Sequence, residues 1–258
     1  MKNSFLLQLA MCCLWSACGG WSLAAIGGNA AADEIRLGVA SVKISPPTGT
    51  PMAGYYSQRA SRGVLDDLYA KAAVWDDGKT RTAMIVCDLC HVPRPIVLEA
   101  RRLIAEQTGV PAESVMIAAT HTHTGPMVLG ESSLYAKFAG DNPLTKNYTE
   151  QLPHRLAQAA ADAYERRAPA RVAFASETET RISFIRRYWM RDGSVRWNPG
   201  ILNPDILRPI GDIDPQVNVV YAELPDKKPL LTFVNFALHL DTTGGAMISA
   251  DFPAAQMR

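Results

Sequence analysis

Hydrophobic residues recur along this chain with two periods. Residues 35–44 alternate apolar and polar positions and stop at Ser45-Pro46-Pro47, which predicts a strand and a proline-stiffened turn. Residues 68–75 and 80–87 are apolar runs either side of Asp76-Asp77-Gly78-Lys79, a hairpin signal. The period then changes. Ile96, Ala100, Leu103 and Ile104 make a stripe at helical spacing over 95–107, with Pro95 in the first turn and Gly109 past the end. An apolar run at 115–119 predicts a buried strand. Residues 82–119 therefore read as a β-α-β unit, whose parallel strands bring their C-terminal ends to one edge, where α/β folds place ligands. A second helix is predicted over 148–167, with Asn147 and Glu150 spaced as a capping box and Pro153 bending or delaying its start. Strands are predicted at 172–176 and 182–187, and 217–224 and 230–238 form a second hairpin across Pro225-Asp226-Lys227-Lys228. Residues 52–66, 127–147 and 193–213 read as loops. The fold class is α/β: mixed β-sheets with β-hairpins and at least one β-α-β unit, helices packed on the outside.

Composition adds limits. A chain of 258 residues suits one large α/β domain or two small ones. At 48% hydrophobic with a net charge of +1, it can fill a core and carries no nucleic-acid footprint. Lys2 precedes an apolar run at 5–15, too short to span a bilayer, and Ala30-Ala31-Ala32 offers a signal-peptidase site. Residues 1–32 thus read as a signal peptide, and the mature chain as exported, periplasmic or secreted. Ser16-Ala17-Cys18 followed by two glycines leaves lipoprotein anchoring through Cys18 open. Cys87 and Cys90 remain after processing. Residues three apart on a strand face opposite ways, so two buried, unpaired thiols are expected.

Five histidines are few, and two stand together in Ala118-Ala119-Thr120-His121-Thr122-His123-Thr124-Gly125-Pro126. At positions i and i+2 of a strand end they would present two imidazoles to one spot, which suits a metal ion or one ligand beside one catalytic imidazole. A second apolar strand runs into His239, and Asp241 and Asp251 lie just beyond. Asp88, His121, His123, His239 and Asp251 are the polar set expected to cluster. His91 and His154 lack such context and read as ordinary surface or second-layer residues.

These residues resemble a known family. Thr120-His121-Thr122-His123-Thr124-Gly125-Pro126 is similar to the Thr-His-Thr-His-Ser-Gly-Pro motif of neutral/alkaline non-lysosomal ceramidases. Leu68-Tyr69-Ala70-Lys71-Ala72, Val86-Cys87-Asp88-Leu89, Asn235-Phe236-Ala237-Leu238-His239 and Ile248-Ser249-Ala250-Asp251 resemble further segments of that family. The resemblance implies a Zn²⁺ ion with His121 and His239 among its ligands, and His123 on the substrate side. It also implies an arginine facing the substrate. The matching stretch is Ile185-Arg186-Arg187, so Arg186 is the candidate, although both neighbours depart from the family's Asn-Arg-Ser. The implied reaction is amide hydrolysis, N-acylsphingosine to sphingosine and fatty acid. A ceramide-like lipid or another acyl amide would be the substrate, and peripheral membrane contact would accompany it. Tyr55, Tyr56, Tyr188 and Trp189 would line an acyl pocket or pack in the core.

The family's remaining zinc ligands, a Glu and a Tyr, lie further along the chain, as do its nucleophilic serine region and immunoglobulin-like domain. Residues 33–258 therefore read as the N-terminal part of a ceramidase-like catalytic domain, and this part by itself as not competent for hydrolysis. Two alternatives stand beside this reading. One is a related exported metallohydrolase acting on another acyl amide or ester. The other is a non-catalytic member of the fold. Metallo-β-lactamase-like proteins want Asp-His after the histidine pair, where Thr124-Gly125 stands here, and amidohydrolase barrels want eight βα repeats.

Overall fold

The computed structural model describes residues 35–130, 139 and 141–256. The leader and its processing site lie outside them. The described chain divides into two compact units: residues up to Val172 with Ala222–Leu231 and Leu240 onward, and Ala173–Tyr221 with Thr232–His239.

The first unit is built on a five-stranded sheet. Its strands are β1 (Arg36–Lys43), β3 (Tyr69–Asp76), β4 (Arg81–Cys87), β5 (Val115–Ala119) and β6 (Ala168–Pro169), in the order β5-β4-β3-β1-β6. β3 and β4 pair antiparallel across the turn that contains Gly78, as the hairpin signal predicts. β4 and β5 pair parallel, joined by helix α1 (Arg94–Thr108). That is the β-α-β unit read from the sequence. Gly109 takes the left-handed conformation that closes α1. A two-stranded parallel pair, β2 (Gly63–Val64) with β13 (Met247–Ile248), links the long loop after β1 to the end of the chain.

Helix α2 (Pro143–Glu165) covers the sheet beside α1. It buries Leu152, Leu156, Ala159, Ala160 and Ala163 against Ile85, Ile96, Ala100 and Ile104 in one core cluster. Tyr148, buried with them, donates its hydroxyl to the Ile44 carbonyl at 2.8 Å. Gly38 is what lets α2 approach so closely, because a Cβ there would sit 1.8 Å from the Ala163 carbonyl oxygen. On the other side of the sheet Leu37 and Ala73 pack with Ala222, and Leu230 and Leu231 add to that second cluster.

The helix begins earlier than expected. Asn142, not Asn147, is the N-cap: its side chain accepts from the backbone N–H of Leu144 and Thr145, and Pro143 follows as the first helical residue. Asn-Pro is the stronger start signal because proline has no N–H to satisfy there. Pro153 lies inside the helix, which runs through it. Replacing Asn142 by Ala should lower stability by about 1 kcal/mol, read as a lower denaturant midpoint at unchanged m-value.

The second unit holds a small antiparallel sheet, β8 (Arg187–Met190), β9 (Val195–Trp197) and β10 (Ile206–Pro209), in the order β10-β8-β9. Two expectations are corrected here. Residues 182–186 are not strand, which starts at Arg187, and the stretch 193–213 is not a plain loop but supplies β9 and β10. Its Pro, Gly and Asn residues mark the turns between short strands. A last sheet has the order β12-β11-β7, from β12 (Pro229–Phe236), β11 (Gln216–Glu223) and β7 (Arg171–Thr178). β12 stops at Phe236, so His239 follows the strand rather than ending it. The last described element is helix α3 (Phe252–Gln256). Among the described residues no helix is long and apolar enough to cross a membrane.

Candidate metal centre

The site grows from the edge where β4 and β5 end. Beyond Ala119 the chain stays tied to the bend after β4: Thr120 N–H donates to the Cys87 carbonyl and His121 N–H to that of Leu89, both at 2.9 Å. His121 then takes a left-handed backbone, φ 73°. The two imidazoles are therefore brought together by a turn and not by strand alternation, since β5 is over before them. The intervening threonines point inward. Thr122 and Thr124 are fully buried, and both hydroxyls donate to the Ser249 carbonyl, at 2.8 and 2.9 Å. Anchoring alternate residues inside leaves the histidines facing out.

The Nε2 atoms of His121 and His123 lie 3.4 Å apart, with the rings nearly perpendicular at 84°. That separation is beyond a good N–H hydrogen bond, about 2.7–3.2 Å. It equals the spacing of two nitrogens on a tetrahedral ion with bonds of about 2.0–2.1 Å. His121 Nδ1 donates to the Cys90 carbonyl oxygen at 2.7 Å, which fixes its proton on Nδ1 and leaves Nε2 as the donor atom for a metal. The Cys90 sulfur lies 3.7 Å from that same Nδ1. The ligand atoms of Cys90, His121 and His123 all fall within 4.8 Å of one another, so this group can hold a metal ion.

Cys90 is the member that sequence reasoning missed as a site residue. As expected, neither Cys87 nor Cys90 is in a disulfide and both are buried. Burial, with the neighbouring Asp88 charge, pushes the Cys87 thiol up to about 12, so it is inert. Cys90 lies in the bend beyond β4, not on the strand. His91 beside it has its pKa lowered by burial, which keeps it neutral.

The two expected carboxylates are committed elsewhere. Asp88, fully buried, takes Lys71 Nζ at 2.6 and 2.8 Å and the Tyr69 N–H at 2.9 Å. Asp251 accepts from the backbone N–H of Thr242, Thr243 and Phe252 and from the Thr242 hydroxyl. Burial works to raise its pKa, but these bonds outweigh it and hold the carboxyl below its ordinary range. Asp251 closes a loop through these bonds, and its charge reaches Tyr55.

A different carboxylate lies beside His123. Asp241 Oδ2 lies 3.7 Å from His123 Nδ1, and Asp241 Oδ1 accepts from the Tyr55 hydroxyl at 2.5 Å. That bond first, and burial second, raise the Tyr55 pKa, so the phenol keeps its proton. Its distance in sequence, 186 residues from Tyr55, hid this pairing. Arg59 stacks over the Tyr55 ring, 4.1 Å from its centroid, and donates to the carbonyls of Ala53, His123 and Gly245.

The other two sequence candidates belong to the second unit. His239 lies three residues past β12. Arg186 lies just before β8, 5.5 Å from the Trp197 ring, and lines a cavity of about 420 Å³ with Phe184, Ile185, Trp197 and Ile210.

No family model matches the chain. Two solved structures share its fold. Neutral ceramidase from Pseudomonas aeruginosa superposes with a TM-score of 0.63 at 22% identity, over 84% of this chain and 34% of that one. A ceramidase complexed with C2 gives 0.62 at 23% identity, over 84% and 33%. The chain thus spans about a third of the length of the ceramidase chains it matches, and its fold is that of part of a neutral ceramidase. At this identity the likeness establishes architecture, and it agrees with the resemblance read from the Thr-His-Thr-His segment.

Proposed function

We propose that this chain carries part of a zinc-dependent amide hydrolase of the ceramidase type, acting on N-acylsphingosine or a close acyl amide. The observation that carries the reading is the histidine pair: two Nε2 atoms 3.4 Å apart, one of them made a ligand atom by the Cys90 carbonyl behind it. His121 would hold the ion; the family resemblance, not the geometry, names His239 as a further ligand. When bound, zinc supplies Lewis acidity for an amide carbonyl and lowers the pKa of a water to about 7. His123, whose Nε2 lies 3.4 Å from that of His121, would accept a proton there and pass it on. Arg186 would hold a polar end of the substrate. Its cavity partners Phe184, Trp197 and Ile210 offer the apolar wall that an acyl chain needs. The leader-like stretch at residues 1–32 supports reading this as an exported activity on a lipid substrate.

The test is zinc titration and amide hydrolysis by the purified full-length protein and two variants. His123→Ala should keep zinc within about 10-fold of wild type yet lose turnover by at least about 100-fold. Arg186→Ala should spare zinc and raise KM. A wild-type protein that takes up no zinc overturns the reading. Loss of zinc in His123→Ala would make His123 a ligand instead. Cleavage of water-soluble acyl amides in preference to N-acylsphingosine favours a related metallohydrolase.

A further inference from the structure

Three segments of the first unit, far apart in sequence, meet at His123: its own turn, residues 53–59 and residues 241–245. Asp241 Oδ2 faces its Nδ1 at 3.7 Å. The same carboxylate is pinned through Oδ1 by the Tyr55 hydroxyl at 2.5 Å, a charge-assisted bond that must break before Asp241 can turn away. The Tyr55 ring stands edge-on to the imidazole, 5.5 Å between centroids and 90° between planes. Arg59 ties the three segments together through the carbonyls of Ala53, His123 and Gly245. Gly54, with φ 100°, lies so close that a Cβ there would come within 2.6–2.7 Å of His123 Cβ and Cα. The ring has little room to swing.

We propose that Tyr55 and Asp241 are a positioning pair that holds His123 as its Nδ1–H tautomer, with the Nε2 lone pair aimed at the point it shares with His121 Nε2. A neutral imidazole carries one ring proton; at 3.7 Å the Asp241 carboxylate is beyond hydrogen-bond reach, but its negative charge favours the N–H on the ring nitrogen that faces it. His121 is fixed in the same sense by the Cys90 carbonyl. Both rings then offer unprotonated Nε2 atoms to one place, which a random choice of tautomers would not give. Neither Tyr55 nor Asp241 needs to touch substrate. The purpose of the pair rests on the hydrolase reading; its geometry does not.

The tautomer is read directly from long-range ¹H–¹⁵N spectra of the full chain labelled on histidine nitrogen, without added metal, at alkaline pH where the imidazoles are neutral. Wild type should show His123 protonated on Nδ1 and bare at Nε2. Asp241→Ala should move the proton to Nε2, Asp241→Glu should restore the wild-type pattern, and Tyr55→Phe should give a mixture. Asp241 is about a third exposed, so its replacement leaves the core untouched. A His123 spectrum unchanged in Asp241→Ala, or a wild type already protonated on Nε2, overturns the proposal. Turnover should fall about 10–100-fold in Asp241→Ala with zinc content spared. A protein with the expected tautomer that binds no zinc would refute the hydrolase reading while leaving the positioning pair standing.

Discussion

On the zinc reading proposed above, replacing His121 by asparagine is expected to lower zinc affinity by at least about 100-fold while leaving the fold in place. Losing a direct ligand should cost more than the 10–100-fold typical of losing a group behind one. Asparagine is the better variant than alanine here, because His121 sits at φ 73°, a left-handed conformation that Asn tolerates and a Cβ-bearing apolar residue resists by about 1–2 kcal/mol. The local backbone has its own anchors: Thr122 and Thr124 remain bound to the Ser249 carbonyl, and His121 N–H remains bound to Leu89. Far-ultraviolet circular dichroism and the denaturant midpoint should therefore change little. Zinc measured by titration and by elemental analysis should report the difference. Wild-type zinc affinity in His121→Asn would remove the metal centre from this histidine pair.

Much of the scaffold for that pair was legible in the chain. The hairpin at 76–79, the crossover helix ending at Gly109 and the parallel strand at 115–119 each depend on local chemistry: a turn residue with positive φ, a stripe at helical spacing, an apolar run. The helix start at Asn142 and the strands β9 and β10 were misread where two local signals competed or where strands are only three or four residues long. The site was half legible. His121 and His123 advertise themselves by spacing, but the reason they converge is a turn after the strand, held by buried threonines. Their supporting groups come from far away in sequence. Cys90 acts on His121 through its backbone carbonyl, which no residue pattern encodes. Asp241 reaches His123 only because residues 52–66 and 241–251 fold against the same turn, so its role was invisible beside the more motif-like Asp88 and Asp251.

Asp88 has a different task, and removing its partner should give the largest loss of stability outside the core. Its carboxylate is fully buried at the end of β4, paired with Lys71 Nζ at 2.6 Å and with the Tyr69 N–H at 2.9 Å. Burial raises its pKa above the ordinary carboxylate value, and the Lys71 charge is the largest influence opposing that rise. Lys71→Met keeps the unbranched stem packed and takes away the cation. An unpaired buried carboxylate costs about 3–5 kcal/mol, and the lower end applies because the Lys71 side chain is 30% exposed. The sign with pH follows. Without Lys71 the folded-state pKa of Asp88 rises further above its unfolded value, so the folded protein binds a proton that the unfolded chain does not. The stability this favours is present below the unfolded pKa and is lost as pH rises through the folded one. The variant should thus be most destabilised near neutral pH and recover toward wild type on acidification. Urea midpoints measured at neutral and mildly acidic pH test this, and a deficit that stays constant with pH would refute the assignment. Adding Asp88→Asn to Lys71→Met should return part of the stability at neutral pH, because it removes the stranded charge. The effect should also reach the metal centre. The bend that Asp88 secures carries the Leu89 and Cys90 carbonyls that hold His121, so Lys71→Met should weaken zinc binding near neutral pH without touching a ligand.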